Sequence, residues 1–310
     1  MSISQRKKGF PHPKLTAARA AIRRNRSSLQ RLSPNVVHMM AAFFEEDGER
    51  IPCVHVCLKD GDDRNIPSYL HCRLRDGSTR QVKVHIISNF GNITPHAGLG
   101  ETVFNSNTTG TPGTITCIVK NPDASVLFAL TCNHVLTGKN FVDAGDPSQL
   151  IQENLLGSTV DIGPWSNGRM NTTVDVALAQ VSDPTTATPY SLKNKTPFVP
   201  KDADCGVTAV KMQGAVSDLK TGFIIHIDQP MAVNYLNQKV TVTGLITISS
   251  SKNVFDFSPI SVEGDSGALV YHAATEQPIG MILGGNTQFS FAMPFGAIIN
   301  AFPPLSLSIF

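Results

Sequence analysis

The sequence predicts a mainly β protein, in which a large all-β region, built as a sandwich or a pair of barrels, follows a small strand-rich or α+β domain. Short apolar runs recur between turn clusters (TITCIVK, VLFALTC, VDVALAQV, CGVTAVKM, FIIHI, KVTVTGLITI, GALVYH and IGMILGG), while helical periodicity is nearly absent until FAMPFGAII. Ahead of them, PCVHVCL alternates with period two, and YLHCRLRDGSTRQVKVHIIS holds two more alternating runs divided by DGS. Between the two regions, residues 93–113 are rich in Gly, Thr, Asn and Pro and read as a linker or wrapping arm.

In chain order, residues 1–35 read as a basic, flexible tail. Of the 26 Lys and Arg residues nine lie within residues 1–31, where no acidic residue stands, so the remaining 17 face all 24 Asp and Glu. KLTAARAAIRR has a helical composition, and a basic segment of this kind suits contact with nucleic acid or an acidic surface, or an organellar transit peptide. Residues 36–92 form the small domain: the apolar VVHMMAAFF, the turn EEDGER, the alternating run from Pro52, and the second turn KDGDDRN. Residues 114–310 form the β region, with an internal boundary expected near residues 185–205.

Several classes are set aside. No run of about 18 apolar residues marks a membrane helix, and the basic start lacks the apolar core of a secretory signal. The six cysteines (Cys53, Cys57, Cys72, Cys117, Cys132 and Cys205), in a chain without a secretory signal, do not require disulfides, so the cytoplasm is the expected compartment. No cofactor is expected. Cys53, His55 and Cys57 share one face of a strand, with His71, Cys72 and His85 in the same domain. Yet neither a C-x-x-C nor an H-x-x-x-H pair is present, and they read as half-buried strand residues rather than a metal site.

Three motifs carry chemistry. In LTCNHVL an apolar run delivers His134 just past its end, in VDVALAQV Asp175 opens an apolar strand, and in SVEGDSGALV Ser266 stands before a buried strand. Each alone reads as a turn or surface residue. Together they supply what acyl transfer by serine needs: a base for the hydroxyl proton, a carboxylate to hold that base, and glycine-flanked backbone N–H groups for the oxyanion. Asp143, Asp146 and Asp161 compete with Asp175, which is preferred because an apolar strand follows it immediately. Cys132, two residues before His134, reads as core.

These motifs resemble those of the trypsin-like serine proteases, and more narrowly of the intracellular-type bacterial trypsin-like peptidases and the plant narrow-leaf proteins. The order His, Asp, Ser fits, with separations of 41 and 91 residues, as do Asn133 before the histidine and Gly145, Asp146 and Gln152 after it. The resemblance implies a chymotrypsin-like fold of two consecutive six-stranded antiparallel barrels. It implies a serine endopeptidase with His134, Asp175 and Ser266 as triad, the N–H groups of Gly264 and Ser266 as oxyanion hole, and Asp265 as support for the loop. Ile260 falls at the pocket base, which disfavours a basic substrate side chain and favours apolar or small ones, while Leu283, Gly284 and Gly285 line the pocket and offer backbone to a substrate strand. Val135 replaces the cysteine common after the histidine. No activation site supplies a partner for Asp265, and Leu283 replaces a serine that braces the triad aspartate in many relatives. A catalytically silent or gated binding module on the same scaffold is the alternative; the presence of all three triad residues favours the enzyme.

Overall fold

The structure, a computed structural model, describes residues 13–46, 49–59, 61, 65–74, 76–88, 90, 94–95, 102–105, 113–121, 126–137, 140–141, 154–157, 161–184 and 195–310. The chain divides into two compact units, one made of the residues up to Phe90 together with Pro200–Gly206, and the other of the remainder.

The first unit is α+β. Helix α1 (Pro13–Leu32) starts with proline at its first position, where the missing N–H costs nothing, and continues through an alanine-rich stretch. Strands β1 (Val36–Glu46), β2 (Glu49–Leu58), β3 (Tyr69–Arg73) and β4 (Thr79–Ile87) form a sheet in the order β1-β2-β4-β3, antiparallel except for the β2–β4 pair. Ala18, Ala21 and Leu29 lie on one face of α1 and pack with Val54, Val56, Leu58, Leu70 and Val82 of the sheet. Residues 13–32 therefore correct the flexible-tail expectation. The arginines suggested solvated charge, but Arg23, Arg24, Arg26 and Arg31 are only the exposed face of an amphipathic helix whose small side chains are buried. Arg19 makes a bidentate ion pair with Asp202 (2.7 and 2.6 Å), fixing the Pro200–Gly206 segment within this unit. Cys53, His55 and Cys57 are buried on β2, and no group of metal-ligating side chains forms among the described residues.

The second unit is almost entirely antiparallel. Short strands β5 (Thr94–Pro95), β6 (Thr102–Asn105) and β7 (Gly113–Thr114) come from the stretch read as linker or wrapping arm. There follow β8 (Cys117–Asn121), β9 (Val126–Thr131), the single-turn helix α2 (Asn133–Leu136), β10 (Asn154–Gly157), β11 (Asp161–Met170) and β12 (Asp175–Gln180). Six further strands follow: β13 (Ala209–Gly214), β14 (Asp218–Asn234), β15 (Lys239–Ser249), β16 (Leu269–His272), β17 (Pro278–Gly285) and β18 (Ser290–Pro294). Helix α3 (Phe295–Ile299) and β19 (Ser308–Ile309) end the chain.

Two sheets result. The C-terminal one runs β16-β13-β14-β15-β18-β17, and because β17 also pairs with β16, these six strands close into a barrel; β5 adds to β17. The N-terminal one has eight strands, β19-β8-β9-β12-β11-β10-β6-β7, so the last strand of the chain borders the first half of the unit. Its core gathers Val103, Leu127, Ala129, Leu136, Ala177 and Ala179. The six cysteines are buried free thiols. No helix among the described residues is long and apolar enough to cross a membrane.

Candidate active site

Register brings the first two residues together. Strand β12 pairs with β9 from Ala177 opposite Thr131, so Asp175, two residues earlier, lies just beyond the end of β9, where α2 begins. An Asn171 turn prepares the approach: its side-chain oxygen accepts the N–H groups of Thr173 (2.8 Å) and Val174 (3.0 Å), a local geometry that asparagine favours. Asp175 then accepts the backbone N–H of His134 on Oδ1 at 3.0 Å and meets His134 Nδ1 through Oδ2 at 2.6 Å. Both side chains are fully buried. Two contacts from one carboxylate fix both the position and the ring orientation of the histidine.

The Ser266 loop is shaped by two glycines. Gly264 (φ 114°) and Gly267 (φ 97°) adopt backbone conformations closed to most side chains, and a Cβ on Gly267 would lie 2.6 Å from the Thr114 carbonyl oxygen. Asp265, between Gly264 and Ser266, is buried and accepts hydrogen bonds from the Val262 N–H (2.9 Å), the Ser217 N–H (3.2 Å), the Val216 N–H (3.3 Å) and the Ser217 hydroxyl. Its partners are thus a turn on the β13–β14 hairpin and its own loop. Gly214 makes room for it, since a Cβ there would lie 2.2 Å from Asp265 Oδ1.

Strand β17 joins the halves. The Ile282 carbonyl accepts both the Gly267 N–H (2.7 Å) and the Cys132 thiol (3.3 Å), so the Ser266 loop and the segment leading to His134 converge on one residue. The next carbonyl, that of Leu283, accepts the Ser266 hydroxyl at 2.9 Å. In this arrangement Ser266 donates to β17 rather than to His134, and Ser266, His134 and Asp175 all have no exposed surface. The Cys132 thiol has its pKa pushed well up by burial and then by the Asp175 charge, which keeps it a protonated donor and unsuited to nucleophilic attack.

Asp175 is not braced by residue 283, whose leucine side chain is buried, but by a residue that no motif marks. The Tyr235 hydroxyl donates to Asp175 Oδ2 at 3.1 Å, and its ring lies 6.2 Å from that of His134. Burial first, then the charge of Asp175 and the hydrogen bond to it, push the Tyr235 pKa far up, so the phenol stays a donor. The Phe141 ring lies tilted against that of Tyr235, 5.3 Å between ring centres, and its backbone N–H and carbonyl are tied to the Asn237 side chain (2.8 and 2.7 Å). Tyr235 thus supplies the hydrogen bond to Asp175 that the Leu283 side chain cannot.

The predicted pocket residues lie in the C-terminal barrel. Ile260 is buried, and its side chain fills the space that Gly222 leaves open on β14. Behind it, Ser290 Oγ accepts the N–H groups of Ile260 (3.0 Å) and Ser261 (2.9 Å) and the Ser261 hydroxyl (2.7 Å). Gly284 and Gly285 pair with β5. Gly145, Asp146, Gln152 and Asp143 lie outside the described residues, as does the side chain of Asp161.

No family profile and no curated protein matches the chain. Solved structures of serine proteases resemble it. Nocardiopsis protease (NAPase) is 16% identical, over 70% of this chain and 98% of its own, with a TM-score of 0.46. Thermobifida fusca Protease A is 19% identical over the same shares, with a TM-score of 0.45. Cellulomonas bogoriensis chymotrypsin is 16% identical, again over 70% and 98%, with a TM-score of 0.43.

Proposed function

We propose that this protein is a serine endopeptidase that hydrolyses peptide bonds through an acyl-enzyme. The observation that carries the reading is the buried His134–Asp175 pair, held by Tyr235, with the Ser266 loop meeting the same β17 residue, Ile282, as the segment leading to His134. The Ser266 hydroxyl leaves the Leu283 carbonyl and attacks the scissile carbonyl carbon while His134 Nε2 takes its proton. Asp175 holds the Nδ1–H tautomer and balances the charge of the imidazolium. The oxyanion is met by the N–H groups of Gly264 and Ser266, aimed by a loop that Asp265 keeps in shape. His134 then protonates the departing amine. Water repeats the sequence on the ester, giving its proton to His134, and the carboxylic product leaves as Ser266 recovers its hydrogen. Ile260 offers no counter-charge, which supports a preference for apolar or small substrate side chains over lysine or arginine.

A gated form of the same enzyme is favoured by one further observation: the Ser266 hydroxyl is engaged by Leu283, and neither Ser266 nor His134 is exposed. Labelling with a fluorophosphonate, with the adduct located by mass spectrometry, tests the reading. An adduct on Ser266 in the wild type and none in Ser266→Ala is the expected result; folded protein that never labels would move the silent binding module ahead.

A further inference from the structure

We infer that strand β5 occupies the peptide-binding edge of this protein, so that the chain is its own competitive inhibitor; the inference rests on the hydrolase reading above. Pairing between β16 and β17 reaches only Leu269 opposite Met281, and the Ile282 N–H and carbonyl close the contact with Ala268 and Gly267. Beyond Ile282, β17 has an open edge, on the side where Ser266 meets the Leu283 carbonyl at 2.9 Å. An open strand edge beside a nucleophile is where an extended peptide adds as a further strand. The next two residues, Gly284 and Gly285, carry no side chains, which lets another backbone approach closely.

That edge is taken by the chain itself. Strand β5 pairs antiparallel with it, Pro95 opposite Gly284 and Thr94 opposite Gly285. Pro95 has no N–H to give, so Thr94 and Gly285 are the pair able to exchange both ladder bonds. A second peptide strand cannot use the Gly284–Gly285 backbone while β5 is there. The strap spans two residues, and so short a ladder opens easily, while its tether keeps its effective concentration high. Cleavage of other proteins therefore waits on release of β5, and a partner or modification that draws residues 94–95 away would activate the enzyme.

The test compares the full-length wild type with Thr94→Pro, which removes the strap's N–H donor, and with Thr94→Ala, which keeps it. Loss of one or two ladder bonds should raise kcat/KM on an extended peptide substrate about three- to tenfold in Thr94→Pro and leave Thr94→Ala unchanged. A second measurement needs no variant: in the wild type, a tetrapeptide aldehyde bound at Ser266 should bring the Thr94 amide into fast hydrogen exchange. If Thr94 stays protected beneath the bound aldehyde, or Thr94→Pro cleaves no faster while Ser266 still takes the fluorophosphonate, the strap inference is overturned and the hydrolase reading stands. If Ser266 labels in none of the proteins, both are overturned.

Discussion

Asp175 and Asp265 are two carboxylates with no exposed surface, each surrounded by donors, yet they serve their loops in different ways. Asp265 is held by three backbone N–H groups and the Ser217 hydroxyl, so it acts as a brace that ties the Ser266 loop to the β13–β14 hairpin. Among the described residues Asp175 accepts one backbone N–H, and its other partners are an imidazole and a phenol. Burial alone does not distinguish the two carboxylates. The donors separate the two: fixed amides and a hydroxyl hold Asp265 as part of a scaffold, whereas Asp175 holds an imidazole ring and is itself held by a phenol.

Replacing the groups on each side of this contrast should separate chemistry from stability. Ser266→Ala should have the largest effect, lowering turnover by about 10⁶-fold with the melting temperature little changed, as followed by peptide hydrolysis and calorimetry. Asp175→Asn should come next, at about 10⁴-fold in kcat, because an amide cannot hold the same tautomer of His134, again with a small stability change. Asp265→Asn should behave in the opposite sense. An amide nitrogen turned toward donors leaves buried N–H groups unpaired, so denaturant titration should show a loss of about 2–4 kcal/mol, and activity should fall only with the fold. Equal stability losses in the two Asn variants would collapse the distinction.

Tyr235→Phe should have the smallest effect, lowering kcat severalfold through a less firmly held Asp175. Its signature lies in pH. The folded pKa of Tyr235 is raised above the usual value of about 10, so its contribution to stability is complete below that pH and is lost as pH rises beyond it toward the folded value. Urea midpoints at pH 9 and 11 should fall more steeply for the wild type than for Tyr235→Phe. Identical slopes would mean that another group sets the alkaline limit.

The two units differ in how far they could be read from the sequence. The alternating runs of the first gave its strands, but the docking of α1 was hidden, because an alanine face beside arginines looks like solvated chain until the sheet that covers it is known. In the second unit the strands were legible, and so were the three side chains proposed to react: a histidine past the end of one apolar strand, an aspartate opening another, and a serine between turn glycines. These are local features, and local pattern is what a sequence displays.

What supports the three residues was not legible. Tyr235 lies 60 residues from Asp175, and Ser217 lies 48 from Asp265. The Leu283 carbonyl that receives Ser266, and the two glycines that pair with β5, could be named as pocket residues, but their occupants could not. The sequence by itself determined the β architecture and the three candidate side chains, because period and residue type are properties of neighbours along the chain. Only the tertiary structure decided which donors hold Asp175 and Asp265 and which strand fills the open edge of β17. Those contacts depend on the register of strands far apart in sequence, and a shift of one residue would send every side chain involved to the opposite face.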